Sequence, residues 1–285
     1  MQEYSRRLAT LTPGFSGADI ENISNEAAIL AARDKKDSVG PKDLEMAVER
    51  IIGGLEKRRL QEESERKTVA VHECGHAVVS WYLKGGMPLL KLTIIPRSKG
   101  SLGFAQYLPN ETSLETKTEL VDQLCSILGG RVAEEIFFGK ITNGAGDDLN
   151  KVNDLAHRIV TKFGMVANIG FVSYNEDQYG NKSYSNYTAT LIDEEKKKLI
   201  KECTEITREL INTKRVKVEE LSTKLLEKES LEFREIYKIL GPKPFGERSS
   251  FKAFFDEVAD ELKLDSEDNQ DAKVETDQLE QSPAI

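Results

Sequence analysis

Histidine is scarce in this sequence: three in 285 residues, at positions 72, 76 and 157, so any two that fall at ligand spacing carry information. Cysteine is equally scarce. Cys74, Cys125 and Cys203 lie far apart with no C-x-x-C pair, which argues against a disulfide frame and reads as reduced thiols in a reducing compartment. No run of eighteen apolar residues occurs, so the sequence as it stands is expected not to span a membrane. The first seven residues, Met1 to Arg7, lack the apolar core of a secretory signal. Basic excess is absent too: the formal charge is −9, with no basic, aromatic-rich stripe, which disfavours nucleic acid as a partner. Nor is there a G-x-x-x-x-G-K-[ST] loop to cradle nucleotide phosphates.

What is present is a chain long enough for one large domain or two small ones, 39% hydrophobic and 31% charged, which suits a helix-rich fold with a real core. Acids dominate from Asp256 to Glu280 against only Lys263 and Lys273, so residues 246–285 are expected to form an acidic, disordered tail.

The run His72-Glu73-Cys74-Gly75-His76 holds the chemistry. On a helix, residues four apart point about 40° from one another, so both histidines can hold one metal. Glu73 lies one step round, placed to take and return a proton without ligating the ion. Zinc held there would polarise a carbonyl and acidify water, the requirements of peptide-bond hydrolysis. The flanks, Val69-Ala70-Val71 and Ala77-Val78-Val79 with Trp81, Tyr82 and Leu83, are apolar and free of proline, so the helix belongs in an interior. Gly85-Gly86 stops it.

Around this helix the pattern divides the chain. Residues 1–55 read as a small helical unit. Ser16 caps a helix with Asp19 and Glu21 in its first turn and Ile20, Ile23, Ala27, Leu30 and Ala31 on its apolar face. A second helix starts near Pro41, carries Leu44, Ala47, Val48, Ile51 and Ile52, and ends at Gly53-Gly54. Residues 56–245 begin with a charged stretch, Glu56 to Lys67. Beyond the H-E-x-x-H helix, two short strands are predicted at Leu92–Ile95 and Phe104–Tyr107, a hairpin whose edge can hold an extended peptide. Thr116 to Phe138 reads as a helix with Leu120, Leu124, Ile127, Leu128, Val132 and Ile136 buried. Gly129-Gly130 in its middle costs helix propensity and predicts close approach to another backbone. A glycine-rich loop, Ile141 to Asp148, leads to a helix reaching Phe163; a polar loop follows around Asn175 to Asn186, then helices over Leu191–Lys228 and Leu231–Leu240.

A catalytic zinc needs a third protein ligand. His157, nine residues into its helix, is expected to serve packing or the surface. The remaining candidates are Glu134 and Glu135 on the preceding helix and Asp147 and Asp148 at a helix start, and spacing alone leaves them open.

Several blocks together resemble the C-terminal part of the FtsH-type AAA metalloproteases, from about Gly14 to Phe245. Thr12-Pro13-Gly14-Phe15-Ser16-Gly17-Ala18-Asp19-Ile20 is similar to the entry of that family's AAA lid, and Thr68 to Ala77 to its zinc helix. Leu128-Gly129-Gly130-Arg131-Val132-Ala133-Glu134-Glu135 and Thr142-Asn143-Gly144-Ala145-Gly146-Asp147-Asp148-Leu149 are similar to two downstream blocks. The segments Pro88 to Arg97, Leu102 to Pro109 and Leu240 to Phe245 resemble the mitochondrial m-AAA branch more than bacterial members. Cys74 stands where the family usually has alanine, about 200° round the helix from His72, and is expected to pack away from the metal.

The resemblance implies a mainly α fold: a small helical AAA lid (1–55), then a helical zinc-peptidase domain with a short β-hairpin (56–245). It implies zinc ligands His72, His76 and Asp148, with Glu73 as the catalytic carboxylate. Gly17 and Ala18 would lie near bound nucleotide in the full assembly. ATP and Mg would enter only through an ATPase core that is not in this sequence, which is expected to be a fragment or a truncated gene product. The implied partners are polypeptide substrates and a homo- or hetero-hexamer of AAA protease subunits. Membrane association would come only through segments outside the sequence, at the matrix face of the mitochondrial inner membrane. The alternative is a non-catalytic assembly or adaptor subunit that keeps the peptidase fold.

Overall fold

The computed structural model describes residues 5, 8–9, 11–12, 14–55, 62–97, 102–108, 114–174 and 184–246. The acidic tail expected at 246–285 lies outside them apart from Gly246, as do residues 56–61 of the charged stretch and 175–183 of the polar loop. Among the described residues the N-terminal unit contains α1 (Gly17–Arg33) and α2 (Pro41–Gly53). Ser16 caps α1 through a reciprocal box in which Asp19 N–H donates to Ser16 Oγ and Ser16 N–H to the Asp19 carboxylate. Their small core joins Ile23, Ala27 and Leu30 to Ala47 and Val48. Ile20 departs from expectation: it is half exposed, on a part of α1 outside that core.

The larger unit is built round α3 (Glu63–Tyr82), which buries Val69, Ala70, Val71, Cys74, Ala77, Val78, Val79 and Trp81. Helix α4 (Lys117–Phe138) lies against it, capped by Thr116 in a second reciprocal box with Glu119. Ile127 and Ile136, expected in the core, are only partly buried at its margin. The two helices meet at glycine: a Cβ on Gly75 would fall 2.4 Å from the Gly129 carbonyl oxygen, and one on Gly129 would fall 2.6 Å from that of Gly75. This is the backbone approach that the mid-helix glycines predicted. A short 3-10 turn (Asn143–Ala145) runs directly into α5 (Gly146–Thr161), so Asp147 and Asp148 occupy the first helical turn and not a free loop. Helices α6 (Asn186–Thr213), α7 (Arg215–Lys228) and α8 (Phe233–Leu240) complete the core against α3 and α4.

The expected short hairpin or sheet is present, and it gains a third strand. Strand β1 spans Leu89–Thr93, starting three residues before the predicted strand and ending two before its end, and β2 spans Phe104–Tyr107. A third strand, β3 (Ser230–Glu232), pairs with the other side of β1, giving the antiparallel order β2-β1-β3. Three residues at the start of an amphipathic helix carry too short a pattern to announce a strand. Strand β2 ends the sheet, and among the described residues no strand pairs with its outer edge. No described helix is long and apolar enough to cross a membrane.

Candidate metal centre and active site

His72 and His76, one turn apart on α3, bring their Nε2 atoms to 3.0 Å of each other. Asp148 reaches across from α5, and its Oδ2 lies 3.2 Å from each Nε2. These three residues form the one cluster of potential metal ligands found among the described residues. His157 is not part of it, as expected, and neither is Asp147 or Glu135. Glu135 instead pairs with Arg208 on α6 at 3.1 Å.

The outer hydrogen bonds decide what the ring nitrogens face. His72 Nδ1 lies 2.7 Å from Glu134 Oε1, and His76 Nδ1 lies 2.8 Å from the Ser126 carbonyl oxygen. A carbonyl and a carboxylate can only accept, so each Nδ1 is placed to donate to its partner, an arrangement that turns Nε2 inward as the atom available to a metal. Two Nε2 atoms and a carboxylate oxygen within 3.2 Å favour positive charge among them, either a proton on His72 or a metal ion. Tetrahedral zinc with bonds of about 2.0–2.1 Å holds its ligands about 3.3 Å apart, so the observed spacings fit that ion. Gly130 supplies the room: a Cβ there would sit 2.5 Å from His76 Nε2 and 2.6 Å from His72 Nε2.

Electrostatics point the same way. Burial works against charge on His72, yet hydrogen bonds to Asp148 and Glu134 outweigh it and raise its pKa to about 9. Burial also opposes ionisation of Asp148, but the His72 and His76 hydrogen bonds hold it well below the usual carboxylate range. The Glu134 carboxylate is likewise opposed by burial but lowered by His72 and by the Thr142 N–H. Positive charge is what this cluster lacks.

Glu134, one of the four open candidates, is therefore not among the clustered ligand atoms. It is buried, orients His72 through Oε1 and accepts the Thr142 N–H at 2.8 Å through Oε2, so it ties α3 to the turn that presents Asp148. Reading the sequence missed the Ser126 carbonyl, since a backbone acceptor leaves no mark on residue type. Lys151, 3.0 Å from Asp148 Oδ1, was also missed, although its spacing three residues after the aspartate is the signal for such a pair.

Glu73 stands beside the cluster and outside it. Its side chain lies under Gly103, where a Cβ would fall 2.5 Å from Oε1, so the segment leading into β2 closes over the carboxylate. Burial raises its pKa, and the charges of His76 and His72 partly offset that. A carboxylate shifted upward in this way is suited to accept a proton and give it back. Cys74 is fully buried in the core, and burial pushes its thiol well up. Gly17 and Ala18 sit exposed on the first turn of α1 and take no part in the cluster.

Comparison with known proteins decides the family. The model of peptidase family M41 matches residues 59–239, and that of the AAA+ lid domain matches residues 6–46. The chain belongs to peptidase family M41. It is 49% identical over 257 residues to the mouse mitochondrial inner membrane m-AAA protease component AFG3L2, covering 88% of this chain and 32% of the relative. To the ATP-dependent zinc metalloprotease FtsH of Rhodothermus marinus it is 47% identical over 250 residues, covering 85% and 36%. To the yeast m-AAA protease component YTA10 it is 42% identical over 261 residues, covering 90% and 34%. The chain spans about a third of the length of these relatives.

Proposed function

We propose that this chain is the zinc endopeptidase module of an ATP-dependent, membrane-associated protease. In it His72, His76 and Asp148 hold zinc and Glu73 moves the proton. The observation that carries the reading is the convergence of the two Nε2 atoms and Asp148 Oδ2 within 3.2 Å, with both Nδ1 atoms turned to partners on the outside. When bound, zinc supplies Lewis acidity that polarises a peptide carbonyl and lowers the pKa of water toward neutrality. Glu134 and the Ser126 carbonyl lock the rings, and Gly130 leaves the metal pocket open. The Glu73 carboxylate accepts the proton of the attacking water and returns it to the leaving amine.

An extended substrate segment would add to the outer edge of β2, held by main-chain hydrogen bonds that accept many sequences. That suits unfolded or membrane-extracted polypeptides delivered by an ATPase ring. In this reading residues 1–55 are the AAA lid and 56–245 the peptidase domain, with Gly17 and Ala18 near nucleotide only in the full assembly. The names of two relatives support the mitochondrial inner membrane as the location, and the family resemblance adds a hexamer of AAA protease subunits with the peptidase in the matrix as part of this proposal. An adaptor that cuts nothing would have no use for an intact proton carrier buried beside an intact ligand set. The test is zinc-loaded Glu73→Gln protein assayed on unfolded casein. Zinc content should stay native and cleavage should fall by several orders of magnitude. Cleavage at the wild-type rate overturns the assignment.

A further inference from the structure

Cys125 on α4 and Cys203 on α6 are 78 residues apart in sequence and wholly buried, yet they meet where the two helices pack. The Cys125 thiol lies 3.5 Å from the Cys203 carbonyl oxygen, and the two side chains are close enough to shift each other's ionisation. Thr207, one turn beyond Cys203, places its Oγ1 2.7 Å from the Cys203 carbonyl and 3.3 Å from that of Cys125, so one hydroxyl joins both backbones. The next residue after Cys125 is Ser126, whose carbonyl fixes the His76 ring.

We propose that Cys125 and Cys203 form a reversible disulfide on exposure to a peroxide, and that closing it weakens metal binding through the Ser126 carbonyl. The second half rests on the metal-site reading above; the first does not. The partners are unequal. Interaction with Cys203 lowers the pKa of the Cys125 thiol, and interaction with Cys125 together with burial drives that of Cys203 upward. Cys125 is therefore the attacking group. Its thiolate sulfur attacks one peroxide oxygen, an S–O bond forms, the O–O bond breaks, and the released hydroxide leaves as water after taking a proton. The Cys203 sulfur then displaces the hydroxyl of the sulfenic acid as a second water, forming the S–S bond. Two thiols lose two electrons, and one hydrogen peroxide becomes two waters.

Burial makes the reaction slow, because peroxide reaches the pair only when α6 opens locally from α4. Disulfide geometry then needs the two sulfurs to close to about 2 Å, a movement that the same local opening permits. Cys74 has no such neighbour: it lies in the α3 core, its thiol opposed by burial and by Glu73.

The experiment treats the zinc-loaded 285-residue chain with excess hydrogen peroxide for hours, alkylates it under denaturing conditions and maps its peptides. The three free thiols should fall to one, with a single cross-linked peptide joining Cys125 to Cys203 and Cys74 alkylated. Zinc affinity, read by competition with a chromophoric chelator, should drop about 10–100-fold, as for loss of a partner that orients a ligand. Dithiothreitol should reverse both. Cys203→Ala, with Cys125→Ala as a second variant, should keep its zinc affinity through the same treatment. Cysteines 125 and 203 that stay alkylatable, or over-oxidise without a cross-link, overturn the proposal. A cross-link that leaves zinc affinity unchanged overturns its coupling to His76. Failure of the untreated chain to bind zinc would count against the metal site alone, because the cross-link is scored separately.

Discussion

Gly130→Ala adds a single methyl group to the metal pocket, and its effect can be worked from distances. The new Cβ would lie 2.5 Å from His76 Nε2 and 2.6 Å from His72 Nε2 and Cε1. Comfortable contact begins near 3.5 Å, so at least one ring must retreat by about 1 Å. Neither is free to do so: the Nδ1 hydrogen bonds of 2.7 and 2.8 Å to Glu134 and Ser126 would stretch beyond hydrogen-bonding range. Losing alignment of a direct ligand should exceed the roughly 10–100-fold effect of losing an orienting partner. Zinc affinity is therefore expected to fall at least about 100-fold, or roughly 2.8 kcal/mol. Alanine is also the better helix former by about 1 kcal/mol, which offsets strain in the metal-free protein. The signature is a decoupling: zinc is lost to a weak chelator while helical circular dichroism and the metal-free unfolding midpoint stay near wild type. A Gly130→Ala protein that keeps zinc with native affinity refutes the placement of the ligand atoms against Gly130.

The neighbouring Gly129→Ala should behave oppositely. Its Cβ would meet the Gly75 carbonyl oxygen at 2.6 Å, which forces two backbones apart and lowers the unfolding midpoint through about 1–3 kcal/mol of overpacking. Glu134→Gln keeps the size of the side chain but weakens the acceptor for His72 Nδ1, so zinc affinity should fall about 10–100-fold with the fold intact by circular dichroism. In the lid, buried Asp43 accepts from Lys36 at 2.6 Å and from the Gly40 N–H at 2.9 Å, and Lys36 chiefly holds its pKa low. Stability from a depressed carboxylate is complete above its unfolded pKa of about 4 and is lost as pH falls through the folded value. Hydrogen exchange in α1 and α2 should therefore speed up for Asp43→Asn at pH 7, and the difference from wild type should vanish in strong acid.

Much of this architecture is written in local chemistry that a sequence displays. The Ser16 cap, the Pro41 start of α2 and a close backbone approach at Gly129 follow from residue type and local position, whereas its partner Gly75 is set by packing. The two histidines and Glu73 are legible for the same reason, since a helix converts a spacing of four into a shared face. The third member of the cluster is not, because Asp148 meets α3 only through packing of α4 and α5, and four carboxylates satisfied the spacing equally well. Strand β3 escaped because its pairing with β1 is set 139 residues away, at Leu92 and Leu231. Ile20 was assigned to a buried face because helical period marks a stripe without saying how wide the neighbour is.

Zinc content of single-residue variants tests the central claim most directly, and it needs no substrate. The wild-type chain, Asp148→Ala and Asp147→Ala are each loaded with zinc, dialysed against a weak chelator and assayed for bound metal by atomic absorption. Asp148→Ala leaves two histidines, and a site so under-coordinated should lose zinc affinity by orders of magnitude. Asp147→Ala, whose side chain is not in the cluster, should retain close to one zinc per chain. Stoichiometric zinc in Asp148→Ala would contradict the account.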